Sequence, residues 1–198
     1  GHTLGDWTEP CDGFIVNTCT VTAVSDKKCR NIIRRVRKNN PDAVVGVCGC
    51  YAQTKPEEVQ ALEVDVLAGT ADRMGFLDAV VEEATQRIRQ SRQFWEKATA
   101  HREFERLPAG GLAARTRAML KVQDGCCNYC SYCIIPYARG PIRSLPLSEA
   151  VEQAKALAAE GYRELVVTGI EISSWGVDFK DGSSLKDLLS ALCAAVPS

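Results

Sequence analysis

The sequence predicts an α/β protein made of two successive units. Three observations predict it. Short apolar runs of strand type alternate with helical patterns. The alternation breaks once, over about residues 91–116, and then resumes. Cysteines gather where the predicted strands end. Strand–helix alternation of this kind buries a parallel sheet between helices, and parallel sheets carry their ligand sites at the carboxyl ends of the strands.

In the first unit, Gly13–Asn17 (GFIVN) reads as a strand. Ser25–Asn39 reads as a helix, with Ser25 as N-cap and Asn39-Asn40-Pro41 as the stop. Ala43–Val47 (AVVGV) is a second buried strand, and Pro56–Leu62 a short helix opened by its proline. Val64–Ala68 is a third strand and Arg73–Gln90 a long helix. Residues 91–116 contain Pro108-Ala109-Gly110-Gly111 and many charges, and read as a linker. The second unit opens with strand Ala118–Gln123 and a cysteine-rich loop. Helix Ser148–Glu160, capped by Ser148, strand Glu164–Thr168 and helix Leu185–Ala195 follow. The expected division is 1–90, 91–116 and 117–198.

Of the 198 residues 45% are hydrophobic, so a packed core is expected and disorder is not. No stretch approaches the roughly 18 consecutive apolar residues of a membrane span, and the opening GHTLGDWTEP lacks the basic start and apolar run of a secretion signal. Net charge is −1, so bulk charge does not announce a nucleic-acid binder. Charge is unevenly spread, however: Lys27–Lys38 (KKCRNIIRRVRK) holds seven basic residues and no acid. Such a stretch is either a solvated helix face or a surface for phosphates.

Ten cysteines are many, and their bunching at strand ends favours metal or cluster ligation in a reducing, cytoplasmic compartment over a secreted disulfide scaffold. Cys126, Cys130 and Cys133 form C-x3-C-x2-C, with Cys127 off the spacing. Three thiolates on a short loop can hold three irons of a cubane cluster and leave the fourth open. A structural zinc loop would need a fourth ligand. No second C-x2-C pair follows, and His2 and His101 are remote in sequence.

With Tyr132 just before the last cysteine, this loop resembles the radical S-adenosylmethionine (SAM) superfamily. The resemblance implies that the second unit starts a radical SAM barrel of partial TIM type, incomplete at its carboxy end. It implies that Tyr132 packs near the adenine of SAM. It also implies that Gly169 and Glu171, within Thr168-Gly169-Ile170-Glu171, contact SAM's amino group, although a plain G-G-E is absent. Arg139 and Arg143 would contact SAM's carboxylate or an RNA backbone, or else lie on the surface.

Two further segments, Val16–Thr22 (VNTCTVT) and Cys48–Gln53 (CGCYAQ), together with VQDGCCNYCSYCIIPYARGPIRS, resemble the methylthiotransferase family over almost the whole chain. Within it, NTCTVT, GCYAQ and GIEISSWG resemble the branch that modifies N6-threonylcarbamoyladenosine at position 37 of tRNA. The resemblance implies two [4Fe–4S] clusters: one on Cys126, Cys130 and Cys133, and an auxiliary one with Cys19 and Cys50 as ligands. The family's third auxiliary ligand lies in G-C-x-x-N; here His2-Thr3-Leu4-Gly5 leads to Asp6 instead. The resemblance further implies a tRNA partner, SAM, a reducing electron donor, no membrane, and addition of a methylthio group to C2 of the adenine. The alternatives are a methylthiotransferase for another tRNA adenosine or a ribosomal protein side chain, and a non-enzymatic iron–sulfur scaffold.

Overall fold

The structure is a computed structural model and describes residues 2–6, 8–106 and 116–196. It divides into two compact units, Gly1–His101 with Ser131–Ala138, and Arg102–Cys130 with Arg139–Ser198. A short piece of the cysteine-rich region counts with the first unit.

The first unit is a four-stranded parallel sheet in the order β1 (Gly13–Thr18), β2 (Val44–Gly49), β3 (Val66–Ala68), β4 (Arg92–Phe94). Helices cover both faces. On one, α1 (Ala23–Asn39), α2 (Cys50–Thr54) and α3 (Pro56–Gln60) send Cys29, Ile33, Val36, Tyr51 and Val59 against Val45, Val47 and Leu67. On the other, α4 (Arg73–Gln86) packs Phe76, Ala79 and Val80 against Val44, Cys48 and Val66. The period-2 alternation along β2 divides its side chains between the two cores. Gly46 lets α4 lie close, since a Cβ there would meet Val80 Cγ2 at 2.4 Å. Buried Asp65 ties the layers together. It accepts from Arg37 of α1, from Arg89 Nε at 2.5 Å and from the Val45 amide at 2.8 Å.

Several boundaries differ from expectation. The N-cap of α1 is Thr22, whose Oγ1 accepts from the Ser25 amide at 3.1 Å. An extended residue must precede the first turn, and Thr22 has φ −139° while Ser25 lies inside the helix. Helix α2 was not expected. It is short, and it follows directly on a strand that also looks apolar. Helix α4 stops at Gln86 because Arg87 turns left-handed, with φ 53°. The supposed linker begins with β4, paired in register Val66↔Arg92 to Ala68↔Phe94. An edge strand reading Arg-Gln-Phe carries no apolar run to announce it. The Pro108–Gly111 segment lies outside the described residues.

In the second unit, β5 (Arg117–Lys121) pairs in parallel with β8 (Glu164–Thr168) from Arg117↔Glu164 to Lys121↔Thr168. The expected single strand through Gln123 breaks at Val122. Beyond it, β6 (Gln123–Asp124) pairs antiparallel with β7 (Arg143–Ser144). In chain order α5 (Ile135–Arg139) falls between them, though its residues up to Ala138 count with the first unit. Helix α6 (Leu147–Ala159) is preceded by Pro146 as N-cap, so Ser148 is inside the helix and not its cap. Helix α7 (Leu185–Ala195) starts in a capping box between Ser184 and Asp187. Leu120, Val122, Leu145, Ala150, Ala154, Trp175, Leu188 and Leu192 form the core of this unit.

Candidate functional site: two cysteine-bearing strand ends

At the first strand end, Thr18 of β1 is paired with Gly49 of β2, so Cys19 and Cys50 each directly follow one member of the pair. The structure therefore brings these two cysteines to one end of two neighbouring strands. Cys19 is exposed and Cys50 buried. The register is clamped. Thr18 Oγ1 donates to the Cys48 carbonyl at 2.6 Å, and accepts from the Ala52 amide at 3.3 Å. Gly49, at φ +100°, approaches so closely that a Cβ would lie 2.4 Å from the Thr18 carbonyl oxygen. Cys48 points away, into the core beneath α4. Cys11 and Cys29 pack in or against the opposite core, and Cys193 is exposed.

Beside Cys50, Tyr51 is buried beneath a ring of charge. Its hydroxyl accepts from Arg30 Nη1 at 3.0 Å and donates to Glu58 Oε2 at 2.7 Å. Burial pushes that hydroxyl above its usual value, and the Arg30 bond opposes the shift. Lys55 stands 5.9 Å from the ring centroid and bonds Asp26 Oδ2 at 3.1 Å.

At the second strand end the cysteine loop springs from a rigid stem. The β6–β7 ladder closes it, and the Cys126 amide donates to the Gly140 carbonyl at 3.0 Å. Gly125 has φ +76°, and a Cβ there would stand 1.9 Å from the Pro141 carbonyl oxygen. Cys126 is buried, Cys130 exposed and Cys133 half-buried. Tyr132 is 90% exposed.

Three buried side chains, Gln123, Asp124 and Arg143, hold this stem, and the first two were not singled out from the sequence. Gln123 is fully buried. Its Nε2 donates to the carbonyls of Asp124 at 3.0 Å and Gly125 at 2.7 Å, and its Oε1 accepts from the Glu171 amide at 2.8 Å. Gly169 packs on it, since a Cβ there would meet Gln123 Cβ at 2.9 Å. One side chain thus joins the loop that begins at Cys126 to the Gly169–Glu171 turn after β8. The Glu171 carboxylate accepts from the hydroxyls of Ser173 and Ser174.

Asp124 is 1% exposed and faces three cations: Lys121 Nζ at 2.5 Å, and Arg139 Nη1 and Arg143 Nη2 each at 3.6 Å. Burial pushes its carboxyl up, but Lys121, Arg139 and Arg143 together outweigh that and hold it below the usual carboxylate value. Arg143 is not a surface arginine. It is 4% exposed, and its Nη1 donates to the carbonyls of Arg139 at 2.9 Å and Pro141 at 3.0 Å, bracing the far side of the stem.

No disulfide joins any of the ten cysteines. The donor chemistry at Cys126, Cys130 and Cys133 therefore suits an iron–sulfur cluster, whose irons take thiolates. Among the described residues no three His, Cys, Asp or Glu side chains already form a group that could hold a metal ion. Such thiolates repel one another, and metal binding itself supplies the energy that draws them in. The stem fixes where Cys126 starts.

Sequence comparison now gives the class. A profile of the uncharacterized protein family UPF0004 matches residues 1–69, and the radical SAM superfamily matches residues 120–193. More particularly, the chain is related over nearly all its length to tRNA methylthiotransferases. The threonylcarbamoyladenosine tRNA methylthiotransferase MtaB of Bacillus subtilis is 43% identical, over 97% of this chain and 42% of its own length. The enzyme of the same name from Aquifex aeolicus is 36% identical, over 97% of this chain and 46% of its own. The tRNA-2-methylthio-N(6)-dimethylallyladenosine synthase of Desulforamulus reducens is 30% identical, over 93% of this chain and 41% of its own. The chain spans less than half the length of each of these curated relatives. Among solved structures, the radical SAM methyltransferase TsrM of Kitasatospora setae shares the fold, with TM-score 0.54 at 18% identity, over 94% of this chain and 42% of that one. No helix among the described residues is long and apolar enough to cross a membrane.

Proposed function

We propose that this chain acts in a radical SAM methylthiotransferase that adds a methylthio group to C2 of N6-threonylcarbamoyladenosine at position 37 of tRNA. The observation that carries the reading is the 43% identity over 97% of the chain to a relative named for that substrate, against 30% for one named for the dimethylallyl nucleoside. We assign Cys126, Cys130 and Cys133 to a [4Fe–4S] cluster, and Cys19 and Cys50 to an auxiliary one. Bound SAM and clusters supply one-electron, methyl-transfer and sulfur-transfer chemistry.

The chain's own residues orient and exclude. Gln123 and Arg143 hold the stem from which Cys126 projects, so the ligand loop starts from a fixed point. Gly169 and Glu171, on the turn that Gln123 positions, meet SAM's amino group. Tyr132 is exposed and can close over the adenine. Thr18 and Gly49 fix the spacing of Cys19 and Cys50. The working compartment is the cytoplasm, the partners are tRNA and a reducing electron donor, and the expected domains remain 1–90 and 117–198 around a connecting segment.

The test is iron and sulfide per chain after anaerobic reconstitution, with mass spectrometry of tRNA from cells lacking the gene. About eight irons per chain would indicate both clusters and about four only the one on Cys126, Cys130 and Cys133; the count should fall by about four in Cys130→Ala, with loss of 5′-deoxyadenosine formation. Unchanged iron and SAM cleavage in that variant, or intact methylthio-threonylcarbamoyladenosine in the deletion strain, would refute the proposal.

A further inference from the structure

The basic stretch of α1 has a division of labour that helix stability does not require. Two of its seven cations are committed inward. Arg30 bonds the Tyr51 hydroxyl and pairs with Glu58, and Arg37 pairs with Asp65 and bonds the carbonyls of Ala43 and Glu63. Lys27, Lys28, Arg34, Arg35 and Lys38 are exposed. Of these, Lys27, Lys28, Arg34 and Lys38 make no hydrogen bond or ion pair among the described residues.

Positions 27, 31, 34 and 38 form one stripe of an α-helix, with 28 and 35 on the row beside it. At 1.5 Å rise per residue, the stripe from Lys27 to Lys38 runs about 16 Å. A face serving only solubility or helix stability would alternate signs, since like charges three or four apart repel. Here Arg30–Arg34, Arg34–Lys38 and Arg35–Lys38 are all like pairs, with no acid between Lys27 and Lys38. The helix dipole accounts for Arg37 and Lys38 in the last turn, but gives Lys27 and Lys28 no benefit.

We infer that this face of α1 binds the sugar–phosphate backbone of an RNA strand, with Lys27, Arg34 and Lys38 as the phosphate contacts. The inference rests on the tRNA reading above and adds a surface to it. An anionic membrane is the weaker match, because α1 spends Cys29, Ile33 and Val36 on the protein core and leaves only Val24 and Ile32 exposed, two separated side chains rather than the broad apolar face an interfacial helix inserts.

The test compares the wild-type chain with Lys27→Ala/Arg34→Ala/Lys38→Ala, using an unmodified tRNA transcript titrated at several salt concentrations. Alanine keeps helix propensity, so the fold survives. A control, Lys155→Ala/Arg163→Ala/Lys186→Ala, removes equal charge from exposed sites on the second unit. We expect the α1 variant to bind about tenfold or more weakly at low salt, with the slope of log K against log salt reduced by about 2–3. The control should keep the wild-type slope. An unchanged slope in the α1 variant, an equal loss in the control, or equal α1-dependent binding to phosphatidylserine vesicles would overturn the inference. SAM cleavage by the reconstituted protein without RNA is expected to be the same in wild type and the α1 variant. Its absence from the wild type would count against the enzymatic reading and leave the RNA measurement to stand or fall alone.

Discussion

Replacing Gln123 by leucine tests whether one side chain holds the cysteine loop to the neighbouring strand end. Leucine has nearly the same volume, so no large cavity opens, but both polar arms are lost. The carbonyls of Asp124 and Gly125 and the amide of Glu171 then have no partner from residue 123. A buried polar group left unsatisfied costs about 1–3 kcal/mol. Three such groups around a fully buried side chain give about 3–5 kcal/mol once partial rehydration of the Glu171 turn is allowed. In a unit of about 90 residues each kcal/mol lowers Tm by about 4–8 °C, so a fall of at least about 12 °C is expected. The assay is thermal unfolding of the metal-free protein by circular dichroism, with amide hydrogen exchange read in parallel. Exchange should rise together at residues 124–126 and 169–171, because the same side chain serves both, while the first unit's sheet keeps its protection. A Tm within 2 °C of wild type, or faster exchange in only one segment, would refute the reasoning.

Two further outcomes follow from the same kind of argument. Asp124→Asn leaves Lys121, Arg139 and Arg143 facing a neutral group and should cost about 3–5 kcal/mol at pH 7. Because the folded carboxyl lies below its usual value, its contribution is full above an unfolded pKa of about 3.9 and fades as pH falls through the lower folded value. The gap in Tm between wild type and variant should therefore be constant from pH 5 to 8 and shrink below about pH 4; a gap that widens on acidification would contradict the assignment. Gly49→Ala places a methyl group 2.4 Å from the Thr18 carbonyl and should destabilise by at least about 2 kcal/mol. Gly182→Ala, at φ +87° with nothing within 4 Å, feels only the backbone strain. Equal losses in the two, measured by urea unfolding, would show that the close approach of β1 and β2 is not tight.

The periodic pattern determined most of the architecture. Strand Glu164–Thr168 and helix Leu185–Ala195 fall where the hydrophobic pattern puts them, because that pattern acts within a few residues. The C-x3-C-x2-C spacing was legible for the same reason, since such spacing is local, and the placing of Cys19 and Cys50 after strands followed from the strand pattern. What sequence reading missed depends on partners far along the chain. The strand Arg92–Phe94 exists because β3 offers it an edge, and no residue in it announces this. Gln123 reads as an ordinary polar residue, yet its role is set by Glu171, 48 positions away. Arg143 reads in sequence as a contact for SAM's carboxylate or an RNA backbone, or else as a surface cation; its burial excludes the surface alternative, and three oxygen-bearing neighbours hold it against the stem. The sequence by itself determined the chemistry available and the strand ends that carry it. Only the tertiary structure decided which polar side chains are withdrawn from water to hold those ends, because the desolvation that makes such contacts strong exists only once distant segments have packed together.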